Sequence, residues 1–286
     1  MGAGRAIAAE PVVRAVTWLP RRWPEWRWFV WRQALSCLFP VCIFVLLAVT
    51  RWISVPGVPR YDALLIGCLL VQVVLLRLRY ETMREFGVIL AFHLIGLFLE
   101  IYKTHYGSWA YPGFSWVRIG GVPLYSGFMY ASVASYICQA WRRLNLRLIA
   151  VPNGSLSALL AAAIYANFFT ERIFFDLRWV LLALVFLHFR RTYVAYGNDR
   201  FSFAMPLWVG LLLVGIFVWL AENYGTLSGA WQYPNQRAAW QVVHPSKMLS
   251  WFLLVVIEFL VIARFKQRRH APAVSAGQRK IGRAHV

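Results

Sequence analysis

Residues 100–112 read EIYKTHYGSWAYP, and residues 222–234 read ENYGTLSGAWQYP. Aligned without gaps, seven of 13 positions are identical: Glu, Tyr, Thr, Gly, Trp, Tyr and Pro. Unrelated windows of this length share about one residue, so internal duplication is the economical account. The offset of 122 residues, Glu100 to Glu222, also carries Pro123 onto Pro245. Each copy closes one apolar run and precedes the next. The duplicated unit is therefore expected to hold the end of one membrane span, an outer loop and the start of another span.

Working outward from these segments, the whole chain is apolar. Of 286 residues, 60% are hydrophobic and 14% charged, with a mean hydropathy of +0.56. A soluble domain carries about 25% charged residues, and a disordered chain lacks so much apolar material. The expected class is an all-α polytopic membrane bundle. About 20 apolar residues cross the hydrocarbon layer. Eight runs are read as spans: Gln33–Ile53, Asp62–Leu76, Glu85–Lys103, Gly121–Ala140, Leu156–Thr170, Trp179–Phe189, Phe203–Glu222 and Met248–Phe265. Seven spans is the competing count. Four spans separate equivalent positions, so the two copies point the same way. The expectation is two parallel four-helix repeats about a pseudo-twofold along the membrane normal.

The chain divides accordingly. Residues 1–32 form an Arg- and Trp-rich cytoplasmic interfacial segment, 33–140 the first half, 141–155 a cytoplasmic linker and 156–265 the second half. A basic tail, 266–286, ends in Ile281–Val286, a hexapeptide that reads as a translated sequencing adapter. No cleavable signal peptide is expected.

The net charge is +19, from 30 Lys and Arg against 11 Asp and Glu. With the N-terminus inside, 22 of the basic residues fall on inner segments and eight on outer loops. That asymmetry favours both termini in the cytoplasm. No basic domain exists outside the apolar runs, which argues against nucleic acid; the expected partner is the lipid bilayer with its anionic headgroups. Cys37, Cys42, Cys68 and Cys138 lie inside apolar runs without CxxC spacing, so neither a disulfide framework nor a zinc site is indicated. No nucleotide-binding loop, nucleophile elbow or HExxH motif is present, and no cofactor is expected. Oligomeric state stays open.

Glu100 and Glu222 lead the candidate site, in an acid/base or polar-anchor role. A carboxylate at the edge of hydrocarbon is costly unless paired or facing a polar cavity, which makes it a functional hypothesis by default. His93, Trp109, Tyr111, Trp231, Tyr233, His244 and Lys247 are the candidate substrate contacts. His93, Gly96, Glu100 and Lys103 form one helical stripe. His93 and Glu100 stand two turns apart with no HxxxH or ExxH beside them, so no metal site is expected. The bland alternatives are a helix-ending glutamate paired with Lys103 and an interfacial aromatic belt. Glu258 lies deep in WFLLVVIEFLVIA and needs a partner or a proton. Glu171 beside Arg172 is read as a surface pair.

The stretches HLIGLFLEIYKTHYGSWAYP, GGVPLY, MPLWVG, WLAENYGTLSGAWQYPNQ and VHPSK resemble the YoaT-like bacterial membrane family, a domain of unknown function, from about Arg32 to Phe265. The resemblance implies a multi-span bacterial inner-membrane protein. Glu100, Gly107, Trp109, Tyr111, Gly121, Pro123 and Leu124 are also similar to carotenoid hydratases and membrane lycopene cyclases. The acidic pair that those cyclases carry at the next span is absent: Leu124 and Tyr125 follow Pro123, and Ser246 and Lys247 follow Pro245. Three functions stay open: handling of an isoprenoid- or carotenoid-like lipid between the repeats, proton- or cation-coupled small-molecule transport, and a structural role without turnover.

Overall fold

The computed structural model describes residues 22–171 and 174–267. Among them are nine α-helices: α1 (Trp23–Ser36), α2 (Leu38–Trp52), α3 (Arg60–Arg77), α4 (Met83–His105), α5 (Gly127–Arg143), α6 (Gly154–Thr170), α7 (Arg178–Phe189), α8 (Leu207–Leu227) and α9 (Ser246–Gln267). Each of the eight expected spans falls on one of α2–α9. Three of these, α4, α8 and α9, are long and apolar enough to cross a membrane, and a fourth counts if α1 and α2 are one bent span. α6 and α7 are shorter apolar helices.

Packing follows one scheme twice. α2 packs on α3 and on α5, while α6 packs on α7 and on α9. α4 lies along α5, and α8 along α9. α5 also meets α9, and one apolar core runs through both sets, including Phe39, Leu64, Ile164, Leu207 and Ile262.

Three features depart from the sequence reading. The run Gln33–Ile53 is not one straight span, because α1 and α2 meet at Cys37 with a bend of 57°. Pro40 has no N–H to donate to the Ser36 carbonyl, so the helical ladder breaks there. The run from Gly121 is not helical until Gly127. Strands β1 (Arg118–Ile119) and β2 (Val122–Pro123) form a hairpin whose turn, Gly120–Gly121, has φ of 58° and 81°. A two-residue turn with both φ positive matches strand twist and calls for glycine.

The third departure corrects the all-α expectation. β3 (Arg147–Ile149), β4 (Tyr193–Asn198) and β5 (Phe201–Pro206) form an antiparallel sheet in the order β3-β4-β5. The run 193–206 is apolar enough to be taken for loop and span. In the sheet it bends at Asp199–Arg200, where the Asn198 carboxamide oxygen accepts from the amides of Arg200 and Phe201 at 2.9 and 3.2 Å. Tyr196 and Phe203 pack beneath it with Ala140 and Leu144. Residues 1–21, Arg172 and the tail from 268, with its terminal hexapeptide, lie outside the described residues.

Candidate functional site

α4 and α5 approach closely because position 96 has no side chain. A Cβ on Gly96 would overlap the Tyr130 ring. With the ring laid on α4, the Tyr130 hydroxyl donates to Glu100 Oε1 at 2.8 Å. The chain leaves α4 and turns back at Gly107, φ 66°. That return sends Trp109 and Tyr111 down onto the end of α4. Trp109 Nε1 donates to Glu100 Oε2 at 2.6 Å, and the Tyr111 hydroxyl to the same oxygen at 2.8 Å. Glu100 is 3% exposed and accepts three hydrogen bonds, all from neutral donors.

The second copy repeats the plan with one exchange of parts. Its turning glycine is Gly229, φ 71°, the equivalent of Gly107. Glu222, also 3% exposed, accepts from the Tyr233 hydroxyl and from Trp251 Nε1. Trp231, the equivalent of Trp109, donates nothing to it. Position 225 is glycine where the first copy has Lys103, and Trp231 lies against that bare backbone, which a Cβ would invade. Trp251, on α9, supplies the indole instead.

The two cages touch. The Trp109 and Tyr233 rings are 6.0 Å apart, and those of Tyr130 and Trp251 6.2 Å. Ala110 and Gln232 exchange both backbone hydrogen bonds, at 2.9 and 3.0 Å. These residues are 122 apart, the offset of the sequence repeat. Lys247 Nζ stands over both donor rings, 5.7 Å from the Trp109 centroid and 5.1 Å from that of Tyr233. Beside it Lys103 pairs with Glu171 at 2.5 Å, and Arg178 reaches Glu171 at 3.6 Å. A crevice of about 40 Å³ opens among Lys103, Trp109, Tyr130, Glu171, Tyr233 and Lys247.

Burial pushes the Tyr111 and Tyr233 phenols well above their ordinary range, and the neighbouring glutamates push the same way. Both therefore remain protonated and keep donating at neutral pH.

Of the expected site residues, the fold gathers Glu100, Glu222, Trp109, Tyr111, Tyr233 and Lys247. Trp231 is adjacent but serves packing. His93 stands two turns along α4, its ring 4.5 Å from Phe128. His244 is exposed and starts α9, where its Nδ1 accepts from the Ser246 amide at 3.2 Å. Glu171 pairs with the buried Lys103 and with Arg178, while its expected partner Arg172 lies outside the described residues. Tyr130 and Trp251 were missed. Trp251 follows Lys247 by one turn, which was the available signal; Tyr130 had none, because it reaches Glu100 only through tertiary packing.

The model of the family described as "Protein of unknown function (DUF817)" matches residues 25–259. The chain belongs to this family. It is 53% identical over 239 residues to the "Uncharacterized protein YoaT" of Bacillus subtilis, covering 84% of this chain and 90% of that protein. A cross-linked MvINS trimer, known from its crystal structure, is 13% identical with a TM-score of 0.48, over 66% of this chain and 97% of that one.

Proposed function

We propose that this protein is a multi-span carrier coupled to a proton or small cation, with the joined glutamate cages as its binding centre. The carrying observation is that two buried glutamates 122 residues apart, each held by Tyr and Trp donors, lie in cages whose rings touch. Glu85 and Glu171 are ion-paired with Lys266 and Lys103, whereas Asp62, Glu81 and Glu258, also buried, have no ion pair among the described residues and stand singly, away from any equivalent carboxylate cage. Glu100 and Glu222 have no such counterion and rely on Tyr and Trp donors. A carboxylate held by neutral donors in an apolar layer keeps its affinity for an incoming proton or cation, whereas a fixed salt bridge would already have satisfied it. Lys247, held over the rings by cation–π attraction, is the built-in charge that an arriving cation would displace.

The same reading takes the duplicated packing as two parallel halves, 33–140 and 156–265, with eight spans and both termini cytoplasmic in a bacterial inner membrane. The exchanged bonds of Ala110 and Gln232 support it, since equivalent residues meet in this way on a twofold axis. Lipid handling has less support. The crevice has room for about one water, not for an isoprenoid.

The test is infrared titration of the purified protein in lipid nanodiscs, with and without sodium or potassium. Wild type should show carboxyl bands that change with pH or cation, and Glu100→Gln and Glu222→Gln should each remove part of that change. Bands unmoved by either variable would overturn the proposal.

A further inference from the structure

A second cavity, of about 150 Å³, lies between α3, α4 and α5. Its wall includes Leu69, Gln72, Val73, Phe86, Leu90 and His93. It sits nearer the start of α4 than the cages do, since His93 precedes Glu100 by two turns, about 10 Å. Leu69, Val73 and Leu90 are about half-exposed, so the cavity opens sideways on the flank of the bundle. On the reading of α3 and α4 as spans, that flank faces lipid hydrocarbon. Gln72 Oε1 and His93 Nδ1 are buried at this wall without a partner, so it is not a finished protein core.

The α3–α4 connection next to the cavity carries charge. Leu76, on the wall, is followed by Arg77; Arg79 stands in the connecting turn; Arg84 opens α4 two residues before Phe86. All three are exposed, and among the described residues their side chains make no hydrogen bond or ion pair. Three basic residues packed against the same turn are engaged. Lys266 pairs with Glu85 at 2.6 Å, Arg142 donates to Gln139 at 2.9 Å, and Arg143 stacks over Tyr80 at 4.5 Å. Three exposed arginines without a side-chain partner among the described residues thus lie along the α3–α4 connection, at one end of the groove.

We propose that this groove holds an acyl chain of one anionic phospholipid, whose phosphate is bound by Arg77, Arg79 and Arg84. Each part of the surface selects a part of that molecule. An apolar cavity of roughly this size stays dry and takes up an apolar group, here a short stretch of chain entering from the bilayer. Guanidinium groups at that end match phosphate oxygens in charge and fork geometry. A zwitterionic lipid offers the chain without the net charge, and a free phosphate offers the charge without the chain.

The experiment is lipid retention. The full chain is reconstituted in vesicles containing equal phosphatidylglycerol and phosphatidylcholine, extracted in mild detergent, and its bound lipid measured by native mass spectrometry. Wild type should retain phosphatidylglycerol preferentially. Removing one near-surface arginine weakens anionic-lipid binding by about fivefold, so the triple variant R77Q/R79Q/R84Q should lose the preference. Leu90→Trp, which fills the groove from a half-exposed position, should lower retention of both lipids with the arginines intact. Circular dichroism confirms that both variants are folded. Equal retention of both lipids by wild type, an unchanged preference in the triple variant, or complete displacement by inorganic phosphate would overturn the proposal.

Discussion

Glu100 accepts three hydrogen bonds and has no ion pair among the described residues, and each donor is separately removable. Tyr111→Phe deletes only a hydroxyl and leaves Oε2 with Trp109 alone. A hydrogen bond to a charged group is worth about 1.5–3 kcal/mol, so thermal unfolding in detergent should show a loss of that order. Glu81 offers a test of pH dependence. It lies between α3 and α4, buried, accepting from Gln72 Nε2 at 2.5 Å and from Ser135. Burial is the leading effect and raises its carboxyl above the usual range; the bonds from Ser135 and Gln72 oppose it. A raised folded value contributes stability that is fully present below the ordinary carboxylate range and lost as pH climbs through the folded value. Tm should therefore fall over that window in wild type, and Glu81→Gln should flatten the fall. Glu100 and Glu222 were legible in sequence because duplication marked them. Tyr130 was not, since only helix packing brings it to Glu100; Trp251 carried the one-turn spacing from Lys247, but nothing in that spacing pointed to Glu222.

At the scale of elements, glycine decides how the cage parts are exchanged. Gly225 accepts the Trp231 ring, and a methyl there would collide with it. Gly225→Ala should cost about 1–3 kcal/mol by overpacking, read as a lower Tm, and should disturb the second cage more than the first. α4 begins with a capping box, in which Thr82 Oγ1 accepts from the Glu85 amide at 3.2 Å and Glu85 Oε2 from the Thr82 amide at 3.0 Å. The same Glu85 pairs with Lys266 on α9 at 2.6 Å, tying the two helices together. Lys266→Met leaves that carboxylate the Thr82 amide and, among the described residues, a single cation, Arg142, 3.6 Å away. Breaking a buried pair costs about 3–5 kcal/mol; the loss should sit at the low end because Arg142 remains, and calorimetry would measure it. Helix positions were readable from apolar runs. Strands were not: the aromatic-rich stretch 193–206 satisfied the hydropathy criterion, and its period-two alternation was overlooked. The Gly120–Gly121 pair was a hairpin signal of the same kind.

For the whole molecule, the two matching 13-residue segments each supply the glutamate of a cage, and the two cages are in contact. What no sequence reading could supply was the line along which the two segments meet, because nothing local specifies that Ala110 faces Gln232. That meeting is where the account is most exposed. Residues exchanging both backbone bonds have Cα atoms about 5.5 Å apart, within the span of a disulfide. The decisive measurement is oxidative cross-linking of Ala110→Cys with Gln232→Cys, in a chain whose four native cysteines are replaced by serine and whose 151–153 segment carries a protease site. After cleavage the two fragments should stay joined on a denaturing gel until reductant is added. Fragments that separate before reduction would contradict a shared centre between the halves.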